Sequence, residues 1–260
     1  MSLIYAFGFV LGAVIGSFLS AAIWRMHVGE SLARGRSKCP HCRHQLGVSD
    51  LVPVFSYLAL RGRCRYCFKR IHPAYFFIEL ATGLAFVLVL AATAADLETA
   101  QSIRVLAPLM FRWALAAVLM LLFVYDLLYL LVPRDVALVA AAVAFVGNAA
   151  QGGRPTSYLL GALLAGGFFY AQYAFSKGRW IGSGDIFLGL FMGAALGAEL
   201  TLLAMFLAYV SGAAVGLLLM ARGRATMKTQ VPFGTFLMAA TFVSMLYGDG
   251  IIAWYVAQLL

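Results

Sequence analysis

Long apolar segments alternate with short polar ones along most of the chain, and they predict an all-α membrane protein. A transmembrane helix needs roughly 20 apolar residues. Eight stretches approach or reach that length, at about 3–24, 74–92, 106–125, 136–150, 157–174, 186–198, 201–221 and 233–247. No Lys or Arg precedes the first stretch, and Arg25 follows it, which does not fit a cleavable signal peptide. We therefore expect a polytopic bundle of about eight transmembrane helices that keeps its first helix.

One polar segment interrupts this pattern between the first and second helices. It divides the chain into three expected parts: a first transmembrane helix at 1–24, an insert at 25–73 and a helix bundle at 74–260. Because the later loops are short, the insert is where we expect a small separately folded module.

The composition and the charge distribution agree with a bilayer location. Hydrophobic residues make up 63% of the chain and charged residues 11%, with a mean hydropathy of +0.93. The net charge is +9, but ten of the 19 Lys and Arg lie in the insert against two acids, so ten minus two leaves +8 there. The positive-inside rule predicts a cytoplasmic insert and, with eight helices, two outside termini. We therefore attribute the clustered positive charge to membrane topology and to contact with membrane lipids, and not to binding of nucleic acid.

All four cysteines and all four histidines lie in the insert. The cysteines form two Cys-x-x-Cys hooks, Cys39 with Cys42 and Cys64 with Cys67, separated by twenty-one residues. Such hooks can present four thiolates to one tetrahedral zinc ion, and zinc binding would supply folding free energy to a short insert. Disulfides are disfavoured in a reducing cytoplasm, whereas redox chemistry and unliganded thiols stay open as alternatives. His41 is the first substitute ligand to consider.

Two aspartates lie at the edges of apolar helices, where a carboxylate is costly without a function or a partner. Asp126 closes the third helix in "FVYDLLYLLVPRD", and Asp185 opens the sixth in "GSGDIF". The predicted topology puts both at the cytoplasmic end of the bundle. A facing pair could act as general base and general acid, with one carboxyl keeping its proton. The alternative is structural, with each aspartate capping a helix or pairing with an arginine, Asp185 with Arg179 and Asp126 with Arg134.

Two other acids occur at the helices. Glu79 lies within the second helix, where it is either functional or paired with a basic residue of the insert. Asp135 follows Pro133 at the start of the fourth helix, a usual position for an acid that stabilises a helix N-terminus.

Several motifs together resemble the type IV prepilin peptidases, membrane aspartic proteases of the GxGD type. They are "GSFLSAAIWR" in the first helix, "RSKCPHC" and "LVPVFSYLALRGRCRYC" in the insert, "FFIELATGL" in the second helix, the aspartate seven residues before Pro133, "GSGD" and "VPFGTFL". The resemblance implies that Asp126 and Asp185 are the catalytic pair. It also implies a multi-pass enzyme of the bacterial inner membrane whose active site faces the cytoplasm.

The activity implied by the resemblance has two steps. The enzyme would remove the basic leader of type IV prepilins or pseudopilins after a glycine, and would then methylate the new N-terminal amine with S-adenosylmethionine. No glycine-rich dinucleotide-type signature marks a methyl donor site, so methyl transfer rests on resemblance alone and receives no residues.

Three positions depart from the family pattern. Phe187 stands where the family often has Lys, Arg134 where Asp or Asn commonly follows the proline, and Leu128 where a further acid is often found. Loss of the lysine is expected to affect leader binding or Asp185, without removing a catalytic group. Glu79 matches a family glutamate.

Two rival classes of function are a transporter or channel and a membrane anchor with a zinc module that recruits a partner. A transporter should show paired polar residues near the bilayer midplane and broken helices in matching halves, and neither is visible in the sequence. An anchor predicts that Asp126 and Asp185 are dispensable.

Overall fold

A computed structural model describes residues 2–32, 35–93, 106–224, 226, 229 and 231–259. Within these ranges the regular structure is helical, and the strand-like pairings are the isolated bridges Lys38–Gln45 and Arg63–Arg70 in the insert. The expected all-α class is therefore confirmed.

Eight long helices account for most of the described chain. They are α1 (Ser2–Val28), α2 (Ala74–Ala92), α3 (Leu106–Tyr129), α4 (Arg134–Ala150), α5 (Pro155–Ser176), α6 (Ser183–Leu196), α7 (Ala198–Ala221) and α8 (Phe233–Leu259). The insert adds a 3-10 turn at Val48–Asp50 and a short helix at Phe55–Ala59.

Six of these helices are long and apolar enough to cross a membrane, which indicates a multi-pass membrane protein. They are α1, α2, α3, α5, α7 and α8. Helix α4 has 17 residues and α6 has 14, both below the roughly 20 that a full crossing needs. The count of eight crossings therefore stays a prediction.

Several helix ends differ from the predicted ones because helical backbone continues past the apolar stretch. Helix α1 runs to Val28, and α8 runs to Leu259, twelve residues beyond the predicted end at 247. Helix α3 continues to Tyr129, so Asp126 lies within its last turn. Helix α6 begins at Ser183, which makes Asp185 its third residue. Both aspartates thus belong to helices and not to loops.

The described residues group into two compact units, Met1–Ala117 and Val118–Leu260. In the first unit, α1 approaches α2 closely through Gly12 and Gly16. A Cβ atom at Gly12 would lie 2.7 Å from the Thr82 carbonyl oxygen, and one at Gly16 would lie 2.8 Å from Glu79 Cα. Small residues spaced four apart are the usual means by which membrane helices reach such contact.

Helix α6 is the central helix of the second unit. Its buried residues include Leu188, Gly189, Phe191 and every position from Met192 to Leu196. A helix that is apolar on all sides is stable only when other helices surround it. The Asp185 end of α6 is therefore held in a fixed place by its own packing.

Gly193 gives the tightest helix contact in this unit, and its replacement should destabilise the fold. A Cβ atom there would press directly on the backbone of Gly161 and Ala162 in α5, which cannot move aside as a side chain can. We expect Gly193→Ala to lower the free energy of unfolding by about 1–3 kcal/mol or more, measured as thermal unfolding in detergent. Gly167→Ala, on α5 with no atom of a neighbouring helix within 4 Å of the new Cβ, is the matched control and should be at least as stable as the wild type.

Candidate active site

Asp126 is buried against the first turn of α8. Its Oδ2 atom accepts a hydrogen bond from the Thr235 N–H at 2.9 Å, and the residue is 6% exposed. The first N–H groups of a helix have no partner within the helix and carry a partial positive charge. The carboxylate of one helix therefore caps another helix that lies 109 positions away in sequence.

Gly234 makes room for this contact. A Cβ atom at position 234 would lie 2.8 Å from Asp126 Oδ2 and 2.6 Å from Leu188 Cδ1. Only a residue without a side chain lets the start of α8 approach both α3 and α6 so closely. The "VPFGTFL" motif thus has a structural role beside Asp126 that the sequence did not reveal.

Asp185 lies at the start of α6 and is 7% exposed. Its Oδ2 atom accepts a hydrogen bond from the Gly182 N–H at 3.1 Å, which is the acidic half of a capping box. The preceding Gly184 lies against the α3–α4 connection, where a Cβ atom would be 2.6 Å from Val132 Cγ2. This hydrogen bond uses Oδ2 of Asp185. The other oxygen, Oδ1, can take part in proton transfer.

The structure brings the two aspartates together. Leu188 follows Asp185 by three residues and so lies on the same face of α6, and the Leu188 side chain and the Asp126 carboxylate both lie against Gly234 of α8. The two carboxyl groups are near enough to interact electrostatically. Two buried acids that interact electrostatically do not both ionise readily, which is the property an acid–base pair needs.

The arginine pairings considered as an alternative are not found. Within the described ranges the ion pairs are Lys38–Glu30 and Arg65–Asp50, both in the insert region. Arg134 instead donates to the Ser183 hydroxyl at 2.8 Å, and Arg179 donates to the Ser176 carbonyl at 3.2 Å. The capping part of that alternative is correct for both aspartates, since Asp185 caps its own helix and Asp126 caps the start of α8.

A polar pair that sequence reasoning missed lies beside the start of α8. Gln172 Nε2 donates to Tyr209 Oη at 2.7 Å, and the Tyr209 ring packs on Phe233 with centroids 5.0 Å apart. The signal was a glutamine within an apolar helix, where polar side chains usually have a partner or a function.

Glu79 has a backbone partner and not the basic residue that was one expectation. Its Oε2 atom accepts a hydrogen bond from the Val54 N–H at 2.7 Å. Val54 has φ 65° and ψ −53°, and the Phe55 N–H donates to the Pro53 carbonyl at 2.6 Å, a strained γ-turn for a β-branched residue. Glu79 therefore ties this turn of the insert to α2.

The four cysteines form one cluster. The sulfur atoms of Cys39, Cys42, Cys64 and Cys67 all lie within 4.8 Å of one another, and all four are free thiols. The Cys39 and Cys67 sulfurs are 3.9 Å apart, close to the roughly 3.8 Å that tetrahedral zinc with Zn–S bonds of about 2.3 Å requires. The arrangement suits a tetrahedral metal ion with four thiolate ligands.

Both hooks have the same backbone conformation. The Cys39 N–H donates to the His44 carbonyl and the Cys64 N–H to the Lys69 carbonyl, each at 2.9 Å. Arg43 and Phe68, the residues after the second cysteine of each hook, share φ 57°. The two hooks are therefore local copies of one knuckle, 25 positions apart.

The thiols have unequal acidities. Burial opposes ionisation of Cys39, but hydrogen bonds from the Cys42 and His41 backbone and from neighbouring thiols lower its pKa to about 7. A backbone hydrogen bond from Lys69 favours the Cys67 thiolate, yet burial and the other thiols raise the pKa of Cys67 to about 11. One thiol of such a cluster ionises readily, but four neighbouring thiolates repel one another. A bound cation is needed to stabilise all four.

Side chains around the cluster have partners of their own. His41 Nε2 lies 3.3 Å from the Arg70 carbonyl, so it is not among the clustered ligands. Partial burial opposes ionisation of Asp50, but hydrogen bonds from Arg65, Gly47 and Tyr66 keep the pKa of Asp50 below its usual value. Asp50 thereby joins the 3-10 turn at Val48–Asp50 to the second hook.

Two protein-family models match separate parts of the chain. A model of the bacterial peptidase A24 N-terminal domain matches residues 10–93, and a model of the type IV leader peptidase family matches residues 113–217. No solved structure matches the chain.

Relatives named prepilin leader peptidase/N-methyltransferase align along most of their length. The Bacillus subtilis relative is 29% identical over 254 residues, which cover 97% of this chain and 98% of the relative. The Burkholderia pseudomallei relative is 32% identical over 276 residues, covering 94% and 85%. The Aeromonas hydrophila relative is 27% identical over 287 residues, covering 99% and 96%.

Proposed function

This chain belongs to the type IV leader peptidase family, and we propose that it is a membrane aspartic endopeptidase with Asp126 and Asp185 as its catalytic pair. Its substrates are type IV prepilins or pseudopilins, which it cuts after a glycine to release the basic leader. The observation that carries this proposal is a pair of buried carboxyl groups, one on α3 and one on α6, that lie near enough to interact electrostatically.

The pair supplies a complete acid–base cycle for peptide hydrolysis. The ionised carboxylate accepts a proton from a water molecule, whose oxygen attacks the scissile carbonyl carbon. The protonated carboxyl donates its proton to the leaving amine nitrogen as the C–N bond breaks. The backbone N–H groups of Thr235 and Gly182 hold the two carboxyl groups in place through this cycle.

The charge pattern supports an active site on the cytoplasmic face of the inner membrane. The insert at 25–73 carries ten Lys and Arg, which the positive-inside rule assigns to the cytoplasm. A prepilin presents a basic leader followed by an apolar helix, so its cleavage point lies at the membrane interface. We keep the division into helix 1–24, insert 25–73 and bundle 74–260 as part of this proposal.

The second activity is methylation of the new N-terminal amine, as the relatives' name indicates. S-adenosylmethionine, when bound, supplies the methyl group. A cavity in the first unit is lined by Trp24, Tyr57 and Glu79, but also by four cations, Arg25, Arg36, Lys38 and Arg65. Because Lys38 already lies over the Trp24 ring, 5.6 Å from its centroid, this lining does not suit a cationic sulfonium, and no residues are assigned to the methyl donor.

We also propose that Cys39, Cys42, Cys64 and Cys67 bind one structural zinc ion. Sulfur atoms within 4.8 Å of one another support this assignment, and a closed set of four thiolates is typical of structural rather than catalytic zinc. The zinc would stabilise the insert, because a module of this size buries little apolar surface of its own.

Incubation of the purified protein with a prepilin precursor tests the peptidase assignment. Intact-mass measurement should show one cut directly after the glycine of the leader. A protein that binds the precursor without cutting it would favour the membrane anchor, the rival class that needs neither aspartate.

Gly234→Ala should impair cleavage while leaving the protein folded. The added methyl group would displace the Asp126 carboxylate and the flexible end of Leu188. We expect kcat to fall between about tenfold and a hundredfold, the usual cost of a misplaced catalytic group. Gly250→Ala on the same helix, with no atom within 4 Å of the new Cβ, should cleave normally. Equal activity of both variants would contradict the role given to Gly234.

A further inference from the structure

One arginine contacts α6 at residues just before and just after Asp185. Arg134 Nη2 donates to Ser183 Oγ at 2.8 Å, and the guanidinium lies over the Phe187 ring, 5.6 Å from its centroid. Ser183 precedes Asp185 by two residues and Phe187 follows it by two. Arg134 therefore contacts α6 immediately before and after the aspartate.

The segment that carries Arg134 starts from the turn that carries Asp126. The Leu130 N–H donates to the Asp126 carbonyl at 2.8 Å, and Leu130 has a left-handed φ of 54° that ends α3. Two residues later Val132 fills the space beside Gly184. The α3–α4 connection is thus a short bridge that joins the backbone of one aspartate to the turn of the other.

Arginine is suited to this double contact. Its planar guanidinium can lie against an aromatic face while an N–H at its edge donates to a hydroxyl. A lysine ammonium is a single point charge on a flexible chain, and cannot hold both partners in one fixed geometry.

We propose that Arg134 is a positioning residue for leader cleavage: by holding Ser183 and Phe187 it fixes the Asp185 carboxyl relative to Asp126. The inference rests on the proposed peptidase function of the pair. Arg134 itself touches neither carboxyl group in the described contacts, so it acts through α6.

The contact also accounts for two of the departures from the family pattern. Arg134 and Phe187 both differ from the residues common in the family, and the structure places them against each other. A lysine at position 187 would face the Arg134 cation and be repelled by it. Arginine at 134 is therefore compatible with an aromatic residue at 187.

The first test measures kcat and KM for leader cleavage in Arg134→Gln, Ser183→Ala and the double variant. We expect Arg134→Gln to lower kcat about tenfold or more with KM changed by less than about twofold, because a shifted catalytic group affects the transition state and not ground-state binding. Residues of one contact couple, so the double variant should lose little more than Arg134→Gln alone. Arg179→Gln removes the same charge from the loop before α6 and is the matched control, expected to cleave normally.

The second test exchanges the contact for an ion pair. Arg134→Asp removes the cation, and Phe187→Lys sets two cations against each other, so each single variant should cleave slowly. Together they place opposite charges at facing positions, and kcat should recover several-fold above either single variant. Because kcat is expressed per folded molecule, a variant that only loses folded protein keeps its kcat. A fall in kcat that the second substitution restores therefore reports on the contact and not on folding.

The outcomes are distinguishable from failure of the function itself. Arg134→Gln with wild-type kcat, or a charge exchange no faster than its single variants, overturns the inference while the aspartate pair stands. If Asp185→Asn still cleaves, the catalytic pair is wrong and the inference fails with it; if the wild type does not cleave, the proposed function itself fails. The folded fraction of each variant, measured by thermal unfolding, is used to express its kcat per folded molecule.

Discussion

Replacing Asp126 or Asp185 by asparagine is expected to abolish leader cleavage. Asparagine keeps the size of the side chain and can still accept the Thr235 or Gly182 hydrogen bond, but it can neither take a proton from water nor give one to the leaving amine. Loss of one member of a catalytic set typically costs on the order of 10³–10⁶ in kcat. Each variant should therefore show no cleavage above background in a kinetic assay with a prepilin substrate.

Asp135→Asn is the matched control for that prediction. Asp135 lies in the first turn of α4 and is exposed, so its charge stabilises the helix N-terminus by only about 0.3–1 kcal/mol. We expect near-normal cleavage. An inactive Asp135 variant together with active Asp126 and Asp185 variants would move the catalytic assignment away from the pair.

Loss of any one cysteine of the cluster is expected to release the zinc and loosen the insert. Binding of zinc to four thiolates contributes roughly 10–16 kcal/mol to the folding of small zinc modules, far more than the insert gains elsewhere. Cys39→Ser and Cys64→Ser, whose side chains are buried, should lower the metal content from one zinc per chain to near zero. Limited proteolysis should then cut within 25–73, while the membrane helices stay inserted.

His41→Ala is the control for the cysteine variants, since His41 neighbours the cluster without joining it. It should retain one zinc and a protease-resistant insert. Wild-type protein that contains no zinc by elemental analysis, or that carries disulfides in cells, would contradict the metal assignment.

The sequence was sufficient for the features that depend on local pattern. The eight apolar stretches predicted the eight long helices of the described residues, because a long apolar segment can satisfy its backbone hydrogen bonds internally only as a helix. The spacing of Cys39, Cys42, Cys64 and Cys67 predicted a cluster that the structure contains. Helix ends were less accurate, since α8 continues through Gly248 to Leu259 past the predicted end.

Contacts between distant segments could not be read from the sequence. Nothing in the residues around Asp126 indicates that Thr235 supplies its hydrogen bond, because that pairing depends on how α8 packs. The contact of Arg134 with Phe187 was hidden for the same reason, although both positions stood out individually. The need for glycine at 234 follows only from the approach of two other helices.

Mass spectrometry of a prepilin co-expressed with this protein tests the central claim most directly. With the wild-type protein, the precursor should lose its leader after the glycine, and a methyl increment on the mature N-terminus is read separately. With Asp126→Asn or Asp185→Asn, the precursor should keep its full mass in cells that contain normal amounts of inserted, zinc-loaded protein. Release of the leader by either variant at a near wild-type rate would show that the two aspartates are not the catalytic pair.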